Sequence, residues 1–219
     1  GGAEKAAAMQ SIMLTKLGYD VHIVLISNII VFDYKGIIFN LGELKDKNNT
    51  FIGKIRRTIL FRKYLKKENF NFIIDNRMRS NSILSEFIIS KYVYSKFLII
   101  YVLHLNDFPT KIKKYQVILK TLYKAFKIIA VCNQAKYYIE KTYKFNNIKT
   151  IYNTFSSSIE NKSIEMISIN ISYKYILYQG RFLNSHKNLI FLIRAYNKSL
   201  LPIRGIKLML LGEGEDEQM

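Results

Sequence analysis

Short apolar runs alternate with longer amphipathic stretches along most of the chain, and this rhythm restricts the possible folds more than any other feature. Residues 21–26, 37–39, 72–75, 97–103, 128–131 and 148–152 read as strands. Residues 3–17, 51–67, 80–90, 111–126 and 133–143 read as helices, with Gly18 stopping the first and Asn133 capping the last. Strands joined through helices pair in parallel with right-handed crossovers, so the expected class is α/β with doubly wound parallel sheets. Residues 155–171 are rich in Ser, Asn and Glu, show neither period and read as a linker. A second alternating unit follows, with a strand at 175–178, a helix at 188–196 and a strand at 207–211. The expected organisation is a first domain over 1–154 and the start of a second over 172–219. The helix at 3–17 has no strand before it and residues 213–219 run into a further helical stretch, so a longer parent chain is expected.

The loop between the first strand and helix of the second unit reads Gly180-Arg-Phe-Leu-Asn-Ser-His-Lys187. A guanidinium at Arg181 and an ammonium at Lys187 can converge on one polyanion, the first as a planar fork and the second as a mobile point charge. Taken alone, the pair reads equally well as two solvated loop cations. After the next strand comes Gly212-Glu-Gly214. At the other end Gly1 and Gly2 precede a helix N-terminus, where amide groups and the helix dipole favour an anion. His104 falls at the carboxyl end of a parallel strand, where doubly wound sheets open their ligand crevice. Glu213, Glu215, Asp216 and Glu217 match no metal-loop spacing, and acids are favourable in a first helical turn without a metal.

The order strand, Gly-Arg…Lys loop, helix, strand, Gly-x-Gly resembles the start of the nucleotide-sugar domain in retaining glycosyltransferases of the GT-B fold, family four. Gly1-Gly-Ala-Glu4 with the helix ending at Leu17-Gly18, and Ile151-Tyr-Asn153 before the linker, resemble that family's first glycine loop and the end of its first domain. The resemblance implies two Rossmann-like domains and transfer of a sugar from a nucleotide donor to an acceptor hydroxyl, with retention and without metal or other cofactor. It implies that Arg181 and Lys187 grip the leaving diphosphate and that His104 bonds a sugar hydroxyl near the reacting carbon. Gly1, Gly2, Gly180, Gly212 and Gly214 would line the donor pocket. The acceptor would be a glycan or lipid-linked glycan in surface polysaccharide synthesis. Two departures stand out: Thr154-Phe-Ser156 replaces the family's Gly-Val-Asp, and its donor-binding glutamate pair would lie beyond residue 219. The chain by itself is therefore expected not to transfer sugar. A sugar-nucleotide epimerase on the same fold is the nearest rival, but it calls for more acid/base residues in the first crevice.

Charge separates the remaining classes. The chain carries 34 Lys and Arg against 16 Asp and Glu, and 16 of the 18 surplus charges lie in residues 51–150. A block of this kind points to nucleic acid, anionic lipid or a polyanionic substrate, or else to compositional drift on solvated faces. No nucleic-acid motif accompanies it, so a nucleic-acid module is the weaker alternative. Anionic membrane is the expected partner, which suggests a cytoplasmic protein held at the inner face of the cell membrane. In the 111–126 helix, Ile112, Tyr115, Ile118, Leu119, Leu122 and Phe126 form one apolar face, opposite Lys113, Lys120 and Lys124. The 51–67 helix is apolar on two sides: Ile52, Ile55 and Ile59 on one, Leu60, Phe61 and Tyr64 on the other. The longest apolar run, 97–103, is far short of the roughly 20 residues that span a bilayer. The single cysteine, Cys132, excludes an internal disulfide and reads as a structural thiol.

Overall fold

The structure, a computed structural model, describes residues 2–77, 82–104, 127–154 and 171–217. The chain forms two compact units, Gly1–Asn161 and Lys162–Met219. Every strand pairing among the described residues is parallel, so the protein is mixed α/β with parallel sheets.

In the first unit, α1 (Gly2–Lys16) leads to β1 (His22–Leu25), which pairs with β2 (Ile37–Asn40). Gly18 ends α1 at φ +84, as its sequence position predicts. Gly36, at φ +111, delivers the chain to β2, and a Cβ there would collide with the Val21 carbonyl. The helix α2 (Gly42–Lys47) is unanticipated, since six residues carry too little apolar repeat to be read. Asn40 starts it by accepting from the Gly42 amide at 2.9 Å. Next comes α3 (Phe51–Glu68), whose N-cap Thr50 accepts from the Gly53 amide.

The four-stranded sheet runs in the order β3 (Phe72–Asp75), β4 (Leu98–Leu103), β5 (Lys127–Ala130), β6 (Ile148–Thr150). The interior strand β4 carries a nearly unbroken apolar sequence, which suits a parallel strand covered on both faces. Tyr101, Val102 and Leu103 are buried beside Ile128 and Ala130 of β5, and the core continues through Val93, Ile139 and Ile148. The expected helix at 80–90 becomes α4 (Ile83–Ile88) followed by a π turn over Ile89–Val93. The expected cap at Asn133 shifts by one residue: α5 (Asn133–Tyr143) has extended Cys132 at its N-cap and no side-chain cap bond. The strand expected to run to Tyr152 ends at Thr150. The 111–126 helix and nearly all of the linker lie outside the described residues.

Only one of the two apolar sides of α3 packs inward. Phe61 and Leu65 are buried and Tyr64 stacks on Phe39 at 4.0 Å, whereas Ile52, Ile55 and Ile59 remain exposed.

In the second unit β7 (Tyr175–Gln179) pairs with β8 (Lys207–Leu211), and α6 (Asn184–Lys187) and α7 (Leu189–Lys198) lie between them in sequence. Leu189 is buried, and the Tyr196 hydroxyl donates to the Ile206 carbonyl at 2.9 Å, tying α7 to the segment entering β8.

Candidate functional site

At the carboxyl end of the four-stranded sheet, β3 and β4 present Asn76 and His104 side by side. His104 Nε2 lies 2.9 Å from Asn76 Oδ1, and Asn76 Nδ2 donates to Gln10 Oε1 of α1 at 2.7 Å. The direction of the second bond fixes the first: the amide nitrogen of Asn76 is engaged, so its oxygen receives the Nε2 proton. Nδ1 is then an acceptor, and it is buried with no hydrogen-bond partner among the described residues. Burial also lowers the pKa of His104, which favours the neutral ring. The arrangement holds the imidazole in one tautomer, with the Nδ1 lone pair enclosed by protein. Sequence reading found His104 but neither Asn76 nor Gln10. The available signal was topological, since residues that leave neighbouring parallel strands at the same end become neighbours.

Beside this pair the same end of the sheet holds an ionic lock. Arg77 grips Asp75 through Nε at 3.0 Å and Nη2 at 2.9 Å, and Nη2 lies 3.6 Å from Glu86. The Asp75 side chain is 0% exposed and that of Arg77 22%. Burial by itself lowers the Arg77 pKa, but Asp75, then Tyr94 and Glu86, more than reverse it, so the guanidinium stays charged. None of these three was singled out from the sequence, where acids and bases so far from a motif carry no signal.

Gly2 stands inside α1 as its first residue, not in a loop before it, and a Cβ there would meet nothing within 4 Å. A glycine is therefore not required at that position by packing. Gly1 lies outside the described residues.

In the second unit the two glycine-bearing segments run alongside each other beyond the ends of β7 and β8. The Gly180 amide donates to the Leu211 carbonyl at 3.0 Å and the Phe182 amide to that of Glu213 at 2.8 Å. A Cβ at Gly212 would collide with the Gly180 carbonyl, and one at Gly214 with Phe182 backbone. These glycines are explained first by close backbone contact. The Arg181 guanidinium meets Glu215 at 3.1 Å, and both side chains are exposed. Lys187 ends α6, is exposed and forms no ion pair among the described residues. Asp216 Oδ2 accepts from the Asn184 amide at 2.6 Å, holding the loop that carries Arg181 against the Gly-x-Gly turn. The structure thus brings Arg181 to the glycine turn but pairs it with an acid instead of Lys187. Glu215 and Asp216 were set aside at the sequence level because they match no metal-loop spacing; the fold uses both as internal partners. Among the described residues no three His, Cys, Asp or Glu side chains converge as a metal site would need.

Neither a protein-family model nor a curated protein matches this chain.

Proposed function

We propose that this chain belongs to a retaining glycosyltransferase of the GT-B type, in which the first unit holds the acceptor and the second begins the nucleotide-sugar domain. The reading rests on the motif order that resembles family four. The structural observation that supports it is the adjacency, at the carboxyl end of a parallel pair, of Gly180–Arg181 and Gly212–Gly214, separated by some thirty residues in sequence. Ligands of open parallel sheets bind at that end. On this reading Arg181 leaves Glu215 for the donor diphosphate and Lys187 joins it. Preorganised cations there stabilise the charge that develops on the departing phosphate. His104, positioned by Asn76, hydrogen-bonds a sugar hydroxyl near the reacting carbon. No metal enters the scheme.

Titration of the chain with a nucleoside diphosphate, followed by amide shifts in nuclear magnetic resonance spectra, tests the reading. Shifts are expected at residues 180–187 and 212–216. Arg181→Ala and Lys187→Ala are each expected to weaken binding about tenfold, as for one charge-assisted contact of roughly 1.5 kcal/mol. Shifts elsewhere, or binding by both variants as tight as the wild type's, overturn it.

A further inference from the structure

The outward side of α3 is divided along its length. Its first half exposes Phe51 at 76%, Ile52 at 74%, Ile55 at 46% and Ile59 at 40%. The same stripe continues at helical spacing into Lys63 and Lys66, with Arg56 beside it, all exposed. The helix holds seven Lys and Arg against one acid, Glu68. Three of the seven are engaged internally: Arg57 with the Asn48 carbonyl, Arg62 over the Tyr92 ring at 3.8 Å, and Lys67 with Glu68 at 3.3 Å. Lys54, Arg56, Lys63 and Lys66 form no ion pair among the described residues.

The apolar turns lie toward the carboxyl end of the strands. Tyr64 hydrogen-bonds His22, the first residue of β1, at 2.6 Å, so the last turns of α3 sit at the amino end. The helix rises about 1.5 Å per residue, which carries Phe51 some 20 Å from that point. There α2 starts against the backbone of Ser27 and Asn28, just past β1. The turn that follows is itself apolar and open, with Ile29 at 77%, Ile30 at 51% and Val31 at 65% exposed. Two separate segments therefore expose apolar side chains at the end of the unit that carries His104.

We propose that this end of the first unit docks on an anionic lipid bilayer, with the Ile52–Ile55–Ile59 stripe entering the headgroup layer and Lys63, Lys66 and Arg56 meeting lipid phosphates. An interfacial helix needs that combination, an apolar strip with cations along its margin. Charge selects lipid over the other occupants. A second copy of this chain would set cation against cation across the contact. Nucleic acid would answer the lysines but leave the isoleucines in water, with Phe51 the single exposed aromatic ring of the helix. The proposal stands apart from the sugar-transfer reading, because vesicle binding reports no sugar chemistry and either can fail alone.

The test uses the 219-residue chain, which has no tryptophan, so Ile55→Trp introduces a unique fluorophore. With vesicles of phosphatidylcholine and phosphatidylglycerol at low salt, its emission is expected to shift to the blue and to be quenched by brominated acyl chains. Vesicles of phosphatidylcholine alone are expected to bind far less. Lys63→Gln with Lys66→Gln should weaken binding to anionic vesicles about thirtyfold, from roughly 1 kcal/mol per cation. Ile55→Ser with Ile59→Ser should weaken it at least about tenfold while leaving the circular dichroism spectrum unchanged, since both side chains are exposed. Binding without quenching, or unaltered by the isoleucine changes, overturns insertion. Absence of binding overturns the proposal, as does self-association abolished by the same isoleucine changes, which would make the face a contact between copies. Displacement of the vesicles by an equal concentration of single-stranded RNA also overturns it.

Discussion

The carboxyl end of the four-stranded sheet and the Arg181 loop of the second unit both place an arginine beside acids at the end of a parallel strand, yet the two are physically opposite. Around Arg77 the acids are buried and Asp75 accepts from both Nε and Nη2, so the guanidinium has one position. Around Arg181 the contact to Glu215 is single and both side chains lie mostly in water. A buried pair keeps its strength because little water competes with it, whereas an exposed one is screened and carries the entropy cost of two mobile chains. The first arrangement is suited to positioning and the second to exchange of one anion for another. His104 belongs with the first: the Asn76–Gln10 chain beside Arg77 holds its ring before any ligand arrives.

The largest effect should come from breaking the dry lock. Asp75→Ala leaves Arg77 partly buried without its main partner and is expected to cost about 3–5 kcal/mol in urea denaturation followed by circular dichroism. A loss no larger than that of an exposed pair would erase the contrast between the two regions. Gly212→Ala comes next, because its methyl group collides with the Gly180 carbonyl and must push two backbones apart. It should cost about 1–3 kcal/mol, whereas Gly2→Ala, open on all sides, should be neutral or slightly stabilising.

A third prediction concerns pH. Burial depresses the His104 pKa in the folded chain, so the unfolded chain takes up its proton first as pH falls. The stability linked to the neutral ring is complete above the unfolded pKa of about 6.5 and is lost as pH falls through the lowered folded value. Denaturation curves from pH 8 to pH 5 should show this loss in the wild type and a smaller one in His104→Asn. The difference between the two isolates His104 from His22 and His186. Equal slopes would mean that the ring is not held neutral. The smallest effect belongs to the exposed pair: Arg181→Ala should change stability by no more than about 0.5 kcal/mol, even where it weakens anion binding.

Much of the first unit was legible because period alone distinguishes strand from helix. The strand predicted over residues 72–75 matches β3 to the residue, and the helix predicted over 51–67 differs from α3 by one. The face of α3 was not legible, since Ile52, Ile55 and Ile59 repeat as regularly as the buried Phe61 and Leu65, and hydropathy cannot rank two apolar stripes. The cap of α5 misled for a local reason: Asn133 is the better capping residue, but the extended conformation falls on Cys132. At the site, His104 was visible from its place at a strand end, whereas its partner Asn76 and the Gln10 that holds Asn76 come from 28 and 94 residues away. Gly212 and Gly214 were expected by resemblance to line the donor pocket, and nothing in the sequence hinted that one backbone passes close beside another there.

By itself the sequence determined the alternating parallel architecture, the positions of nearly all described strands and the excess of positive charge between residues 51 and 150. These follow from local period and from composition, which need no partner to be expressed. Tertiary structure alone decided which arginine is locked and which is open, which side of α3 faces water, and which nitrogen of His104 is left to accept a hydrogen bond. Each of these depends on burial and on groups brought together from distant segments, and both are properties of the packed chain.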